Sequence, residues 1–193
     1  MTTQSMPTQW VRIDASGHAV LADLTSVDPA GRYHPSLQFV PVPAALAADP
    51  VALSVPLTLA ADGVTLQVAD PAVYAAAQKA AMQAAADQVR SAGTTVNGVA
   101  VATDPTSLTL IAGAHALAQS GVQTSFAWQG ETGWTTLTAA QVIALAQAVG
   151  VFVQGVFTRL QTVQAAIDAA LAASTDPQAQ VAAVRAAAVW PAG

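Results

Sequence analysis

The stretch from Thr132 to Thr158 contains no Asp, Glu, Lys or Arg, and any fold of this chain must accommodate it. Within and beyond it, apolar residues recur at Val142, Ala146, Val149, Val153, Val156, Leu160, Val163, Ile167 and Ala170. The steps alternate between four and three, a heptad rhythm sustained for about four repeats, which a helix gathers onto one side. Phe152 and Phe157 widen the stripe. Thr138 and Gln141 form a T-x-x-Q capping box, in which hydroxyl and amide each satisfy a backbone N–H of the first turn. A long helix beginning near Thr138 is therefore expected.

An uncharged segment of this length is long enough to span a bilayer. Three observations oppose that reading. Gln141, Gln147 and Gln154 lie inside it, and an unpaired amide in hydrocarbon costs about a few kcal/mol. The heptad continues without a break past Arg159. Neither flank carries the cluster of Lys and Arg that orients a span. A helix packed against protein, with no membrane span, is the expectation.

Asp-Pro pairs punctuate the second part of the chain. Asp70-Pro71, Asp104-Pro105 and Asp176-Pro177 each place a capping carboxylate before a proline at the first helical position. They predict helices over about 71–92, 105–119 and 177–189. Before Asp70 the pattern is β-like. "WVRIDASGHAVLADL" has two runs about a turn at Ala15-Ser16-Gly17, and "HPSLQFVPVP" reads as extended, kept by its prolines at a sheet edge or outside a sheet. In "PLTLAADGVTLQVAD", Asp62-Gly63 supplies the positive φ of a hairpin turn. Asn97-Gly98 and the Gly130-Glu131-Thr132-Gly133 stretch mark two further hairpins. The expected class is α+β, with a β-rich module over residues 1–69 and a helical module with inserted hairpins over 70–193.

Only 9% of the 193 residues are charged, against roughly 25% in an average soluble domain. Such a surface suits burial against other subunits; an Ala- and Gln-rich genomic style is the alternative account. The net charge is −5, and Arg12, Arg32, Lys79, Arg90, Arg159 and Arg185 are scattered, so no nucleic-acid interface is expected. Absence of Cys removes thiolate chemistry and disulfides. "MTTQSMPTQW" lacks the charged and apolar regions of a signal peptide, so Sec-type export is not expected.

No catalytic motif occurs. His18, His34 and His115 have no partner at helical metal-ligand spacing, and no phosphate-binding or nucleophile-elbow pattern is present. No enzymatic activity, cofactor or metal is expected. Trp128 and Trp134 are the sharpest surface candidates. They are read as structural aromatics that anchor a hairpin onto the long helix; stacking on a sugar ring is the alternative.

Several of these residues also carry a resemblance. Gly98, Thr103-Asp104, Ser107, Trp128, Gly133-Trp134 with Leu137, and Gln154 with Phe157 resemble the C-terminal domain of unknown function common to tailed-bacteriophage tail and tail-fibre-associated proteins. The likeness covers about residues 72–190. The "AGRYHPSLQFVPVPAAL" segment also resembles what precedes that domain. Pro105 departs from the pattern, where a basic residue is frequent. The resemblance implies a non-enzymatic structural component of the tail, partnered with other tail or fibre proteins. Its implied location is the virion, after assembly in the host cytoplasm. The alternative is a tail-fibre assembly chaperone absent from the mature virion. Homo-oligomerisation is expected through the heptad seam, at Val149, Val153, Val156, Leu160, Val163 and Ile167.

Overall fold

A computed structural model describes residues 9–130, 133–173 and 176–191. The architecture is α+β, as the sequence indicated. Small antiparallel sheets dominate the first part and helices the second. The chain divides into two compact units, residues 1–81 with 166–186 and residues 82–165 with 187–193. Two of these boundaries fall inside helices and the third at the end of one. The change of period at Asp70-Pro71 thus marks a change of secondary structure, and the compact units divide elsewhere.

In the first unit, β1 (Trp10–Ile13), β2 (Ala19–Thr25) and β3 (Gln38–Pro41) form a sheet in the order β2-β1-β3. β3 is an edge strand, the position its proline tolerates. A hairpin of β4 (Leu57–Leu59) and β5 (Leu66–Val68) joins this sheet through a bridge between His18 and Thr58. Its turn is built as expected. Gly63 has φ of 72°, and the Asp62 carboxylate accepts from the N–H groups of Val64 and Thr65. A short helix α1 (Ala44–Ala47) and a 3-10 turn (Ala52–Ser54) follow β3; their brevity left no period to read. Alternate strand residues turn inward: Val11, Ile13, Val40, Leu57, Leu66 and Val68 are buried, the pattern of sheets with one covered face.

Three helices start at the anticipated Asp-Pro pairs: α2 (Pro71–Ser91), α3 (Pro105–Ser120) and α5 (Pro177–Ala186). The carboxylates of Asp70, Asp104 and Asp176 accept from N–H groups of the first turn. α5 stops short of the expected Val189. Residues 187–191 beyond it are non-helical, and Arg159 donates to the carbonyls of Ala187 and Val189, holding them in the second unit.

That second unit contains the hairpins β6–β7 (Thr94–Val96, Val99–Val101) and β8–β9 (Ser125–Gly130, Gly133–Thr138), with α3 between them. Asn97 and Gly98 both take positive φ, the primed turn that Asn-Gly favours. Residues 131 and 132 of the last hairpin lie outside the described residues. The long helix α4 (Ala139–Ala173) follows. Its capping box forms reciprocally: Gln141 Oε1 accepts from Thr138 N–H at 2.8 Å, and Thr138 Oγ1 accepts from Gln141 N–H at 3.3 Å.

The end of α2 shows why a Thr-Asp pair follows the second hairpin. Thr103 is fully buried and its hydroxyl donates to the Arg90 carbonyl, satisfying an orphan acceptor of the last turn. The next residue, Asp104, caps α3, and the Ser107 hydroxyl donates to its carboxylate at 2.5 Å. Gly93 sits between the two caps with φ of 88°, and a Cβ there would lie 2.8 Å from the Val101 carbonyl oxygen. We expect Gly93→Ala to lower stability by about 2–3 kcal/mol, combining left-handed strain with displaced backbone. Urea unfolding followed by circular dichroism measures it. A loss below about 0.5 kcal/mol, the size of an inconsequential surface change, would contradict this close approach.

Candidate interaction site

The β8–β9 register decides what its aromatic residues do. Phe126 pairs with Leu137 and Trp128 with Thr135, whereas Gln129 pairs with Trp134 and Ala127 with Thr136. Directly opposed residues share a face, and neighbours along a strand alternate. Phe126, Trp128 and Leu137 therefore share one face, and Trp134 leaves the other. The first face joins the core of the unit. Phe126 and Leu137 are buried with Val101, Ile111, Ala118, Val142, Leu145 and Val149, and Trp128 packs against that cluster. Trp134 is 72% exposed. The expectation that both tryptophans anchor the hairpin is thus corrected for Trp134: it lies three residues from Leu137, out of phase with the buried face.

A groove of about 410 Å³ runs along β8 beside α3, bordered by Leu110, Ala114, Trp128, Gln129 and Trp134 among others. None of its lining residues is ionisable. The Ser107 hydroxyl at its margin is engaged with Asp104. The groove can offer aromatic faces and an amide, and it holds no base to activate a nucleophile.

The heptad seam assigned to oligomerisation is placed differently from the expectation. Val149, Val156, Leu160, Val163 and Ile167 are each 6% exposed or less, and Val153 is half-buried. The chain's own hairpins and helices cover the first five, which form its internal core and present no surface to a partner, while Val153 lies partly open beside them. The periodicity identified a packed stripe correctly; it carried no information on whether the cover is the same chain or another. By length and composition alone, α4 is also apolar enough to cross a membrane.

The densest buried polar arrangement was not singled out in the sequence. Asp49 lies between α1 and the 3-10 turn in the first unit and is buried. Its Oδ2 accepts from the Tyr74 hydroxyl at 2.5 Å and from Gln78 Nε2 at 2.7 Å. Oδ1 accepts from Arg185 Nη1 at 2.6 Å and from the Val51 N–H at 3.0 Å. Burial first, then the hydrogen bond to Asp49, push the Tyr74 hydroxyl well above its ordinary pKa. A carboxylate saturated by four donors, with no open coordination position, ties α2 and α5 to the α1 segment and acts as a structural pin.

The histidines are dispersed. His34 Nδ1 lies 2.8 Å from the Ser36 hydroxyl, His18 lies 3.9 Å from Asp14, and His115 Nε2 is buried without a hydrogen-bond partner. Among the described residues no three His, Asp or Glu side chains are grouped as a metal site requires.

Fold and surface together define a class: an α+β protein with a capped long helix, short hairpins packed around its first part, and an uncharged aromatic groove. More particularly, the chain belongs to the family described as Domain of unknown function (DUF4376), which matches residues 73–188. That span takes in nearly all of α2 and continues through α3, α4 and α5. No curated protein matches the chain, and no solved structure does.

Proposed function

We propose that this protein is a non-enzymatic structural subunit of a bacteriophage tail, working through contacts with other tail or fibre proteins and with copies of itself. The observation that carries the reading is the surface of the family domain. α4 has no charged residue before Arg159, and Val151, Phe157, Leu110 and Trp134 stand in solvent on the second unit. A free monomer of this size would ordinarily surround such residues with Lys and Glu. The tie to phage tails comes from the resemblance, whose pattern includes Trp134, Gln154 and Phe157, all side chains that the fold leaves exposed.

Mass spectrometry of purified virions from the phage that encodes this chain tests the proposal. The expected result is the protein at fixed stoichiometry with other tail subunits. Its absence from particles whose fibres fail to form without it would overturn the virion reading in favour of an assembly chaperone.

A further inference from the structure

The exposed side of α4 carries a second heptad. Ala144, Gln147, Val151, Gln154, Thr158 and Gln161 follow at steps of three, four, three, four and three, and all six are exposed, Val151 at 74%. At 3.6 residues per turn they occupy a strip about 100° wide, opposite the buried stripe. The three glutamines are seven residues apart, and none of their amides has a hydrogen-bond partner within the described residues. The first charge on the helix, Arg159, is turned aside to the carbonyls of Ala187 and Val189.

We propose that this strip is a self-association seam along which two copies of the chain pair, with Gln154 facing Gln154 at its centre. The chemistry selects a second copy over another occupant. A primary amide donates and accepts, so its natural complement across a symmetry axis is the same amide. Parallel in-register pairing places each glutamine opposite itself. Antiparallel pairing centred on Gln154 places Gln147 opposite Gln161. In both arrangements amide layers alternate with the small side chains of Ala144, Val151 and Thr158, which let the helix axes approach closely. Polar layers of this kind set register in helical pairs. A bilayer would leave the three amides unpaired. The strip from Ala140 to Ala165 is about 39 Å long and about 10 Å wide. Its projected footprint is about 390 Å² on each copy, about 780 Å² on two before side-chain relief is added, the size of a small, weak interface.

The proposal rests on the reading of this chain as a protein-contact subunit and not on the virion assignment, so the two fail separately. Because the protein has no cysteine, Gln154→Cys introduces a single thiol on an exposed position. On mild oxidation the full chain should form a covalent dimer at least about tenfold faster than Val122→Cys, an exposed position off the helix, a ratio that measures true proximity. Sedimentation equilibrium of the unaltered chain should show a dimer. Gln154→Glu should raise its Kd about tenfold or more while leaving the circular dichroism spectrum unchanged, since like charges would meet at the seam. Gln147→Cys and Gln161→Cys report orientation: each cross-links with itself in the parallel pair, and only with the other in the antiparallel one. A monomer with equal cross-linking at positions 154 and 122 overturns the proposal. So does a dimer indifferent to Gln154→Glu, which must use another surface, or a monomer that floats with phosphatidylglycerol-containing vesicles. Absence from virions with these results intact would remove the tail assignment and leave the seam standing.

Discussion

Asp49→Ala is expected to lower stability by about 3–5 kcal/mol, the cost of leaving two buried donors without an acceptor and breaking a part-buried ion pair. The substitution leaves the Tyr74 hydroxyl and the Gln78 amide, both almost fully buried, without their acceptor. It also leaves the Arg185 guanidinium without its carboxylate. Asp49→Asn should cost less, about 1–3 kcal/mol, because part of the acceptor capacity survives. Urea unfolding of the three proteins measures the difference, and an Ala variant within about 1 kcal/mol of the parent would show that the cluster is not a pin. The same cluster predicts a pH dependence. The folded state raises the Tyr74 pKa, so the stability it contributes is full below the ordinary tyrosine value of about 10 and declines as pH rises through the interval above it. Tyr74→Phe should flatten that alkaline decline.

Phe126→Ala is expected to cost about 3–5 kcal/mol, as truncation of a packed aromatic does. Trp134→Ala, eight residues away on the same hairpin and larger, should fall within about 0.5 kcal/mol of the parent. The contrast follows from the register. Phe126 is 5% exposed within the cluster that joins the hairpin to α3 and α4, while Trp134 projects from the opposite face. Both variants are read from thermal or urea unfolding under identical conditions. If Trp134→Ala proves as damaging as Phe126→Ala, the register or the exposure is wrong, and the aromatic groove would be a core defect in place of a surface.

Much of this architecture was legible because its signals are local. Asp-Pro pairs cap a helix wherever helix formers follow, and the caps at Asp70, Asp104 and Asp176 act within three residues. Asn97, Gly98 and Gly63 adopt positive φ because the turns require it and those residues allow it. The reciprocal bonds of Thr138 and Gln141 close one turn of one helix. The heptad of Val149, Val156 and Val163 had to be buried, since burial of a recurrent apolar stripe is the dominant favourable term available to it.

What covers that stripe was a tertiary decision. Periodicity is a property of one helix, and its partner is chosen by where the rest of the chain returns; here the chain's own elements filled the place that had been assigned to a neighbouring subunit. The Asp49 cluster belongs to the same category. Asp49-Pro50 looks locally like any other Asp-Pro turn, and its partners Tyr74, Gln78 and Arg185 lie 25, 29 and 136 residues along the chain. Trp134 stands between the two cases. Pattern alone placed it on a hairpin, but only the register, with its strict alternation of faces, determined that it points to solvent while Trp128 points to the core. The sequence by itself therefore determined the helices, the turns and the fact of a buried stripe, through interactions reaching no further than about one helical turn. The tertiary structure decided which faces remain free, because that depends on contacts between residues the chain keeps far apart.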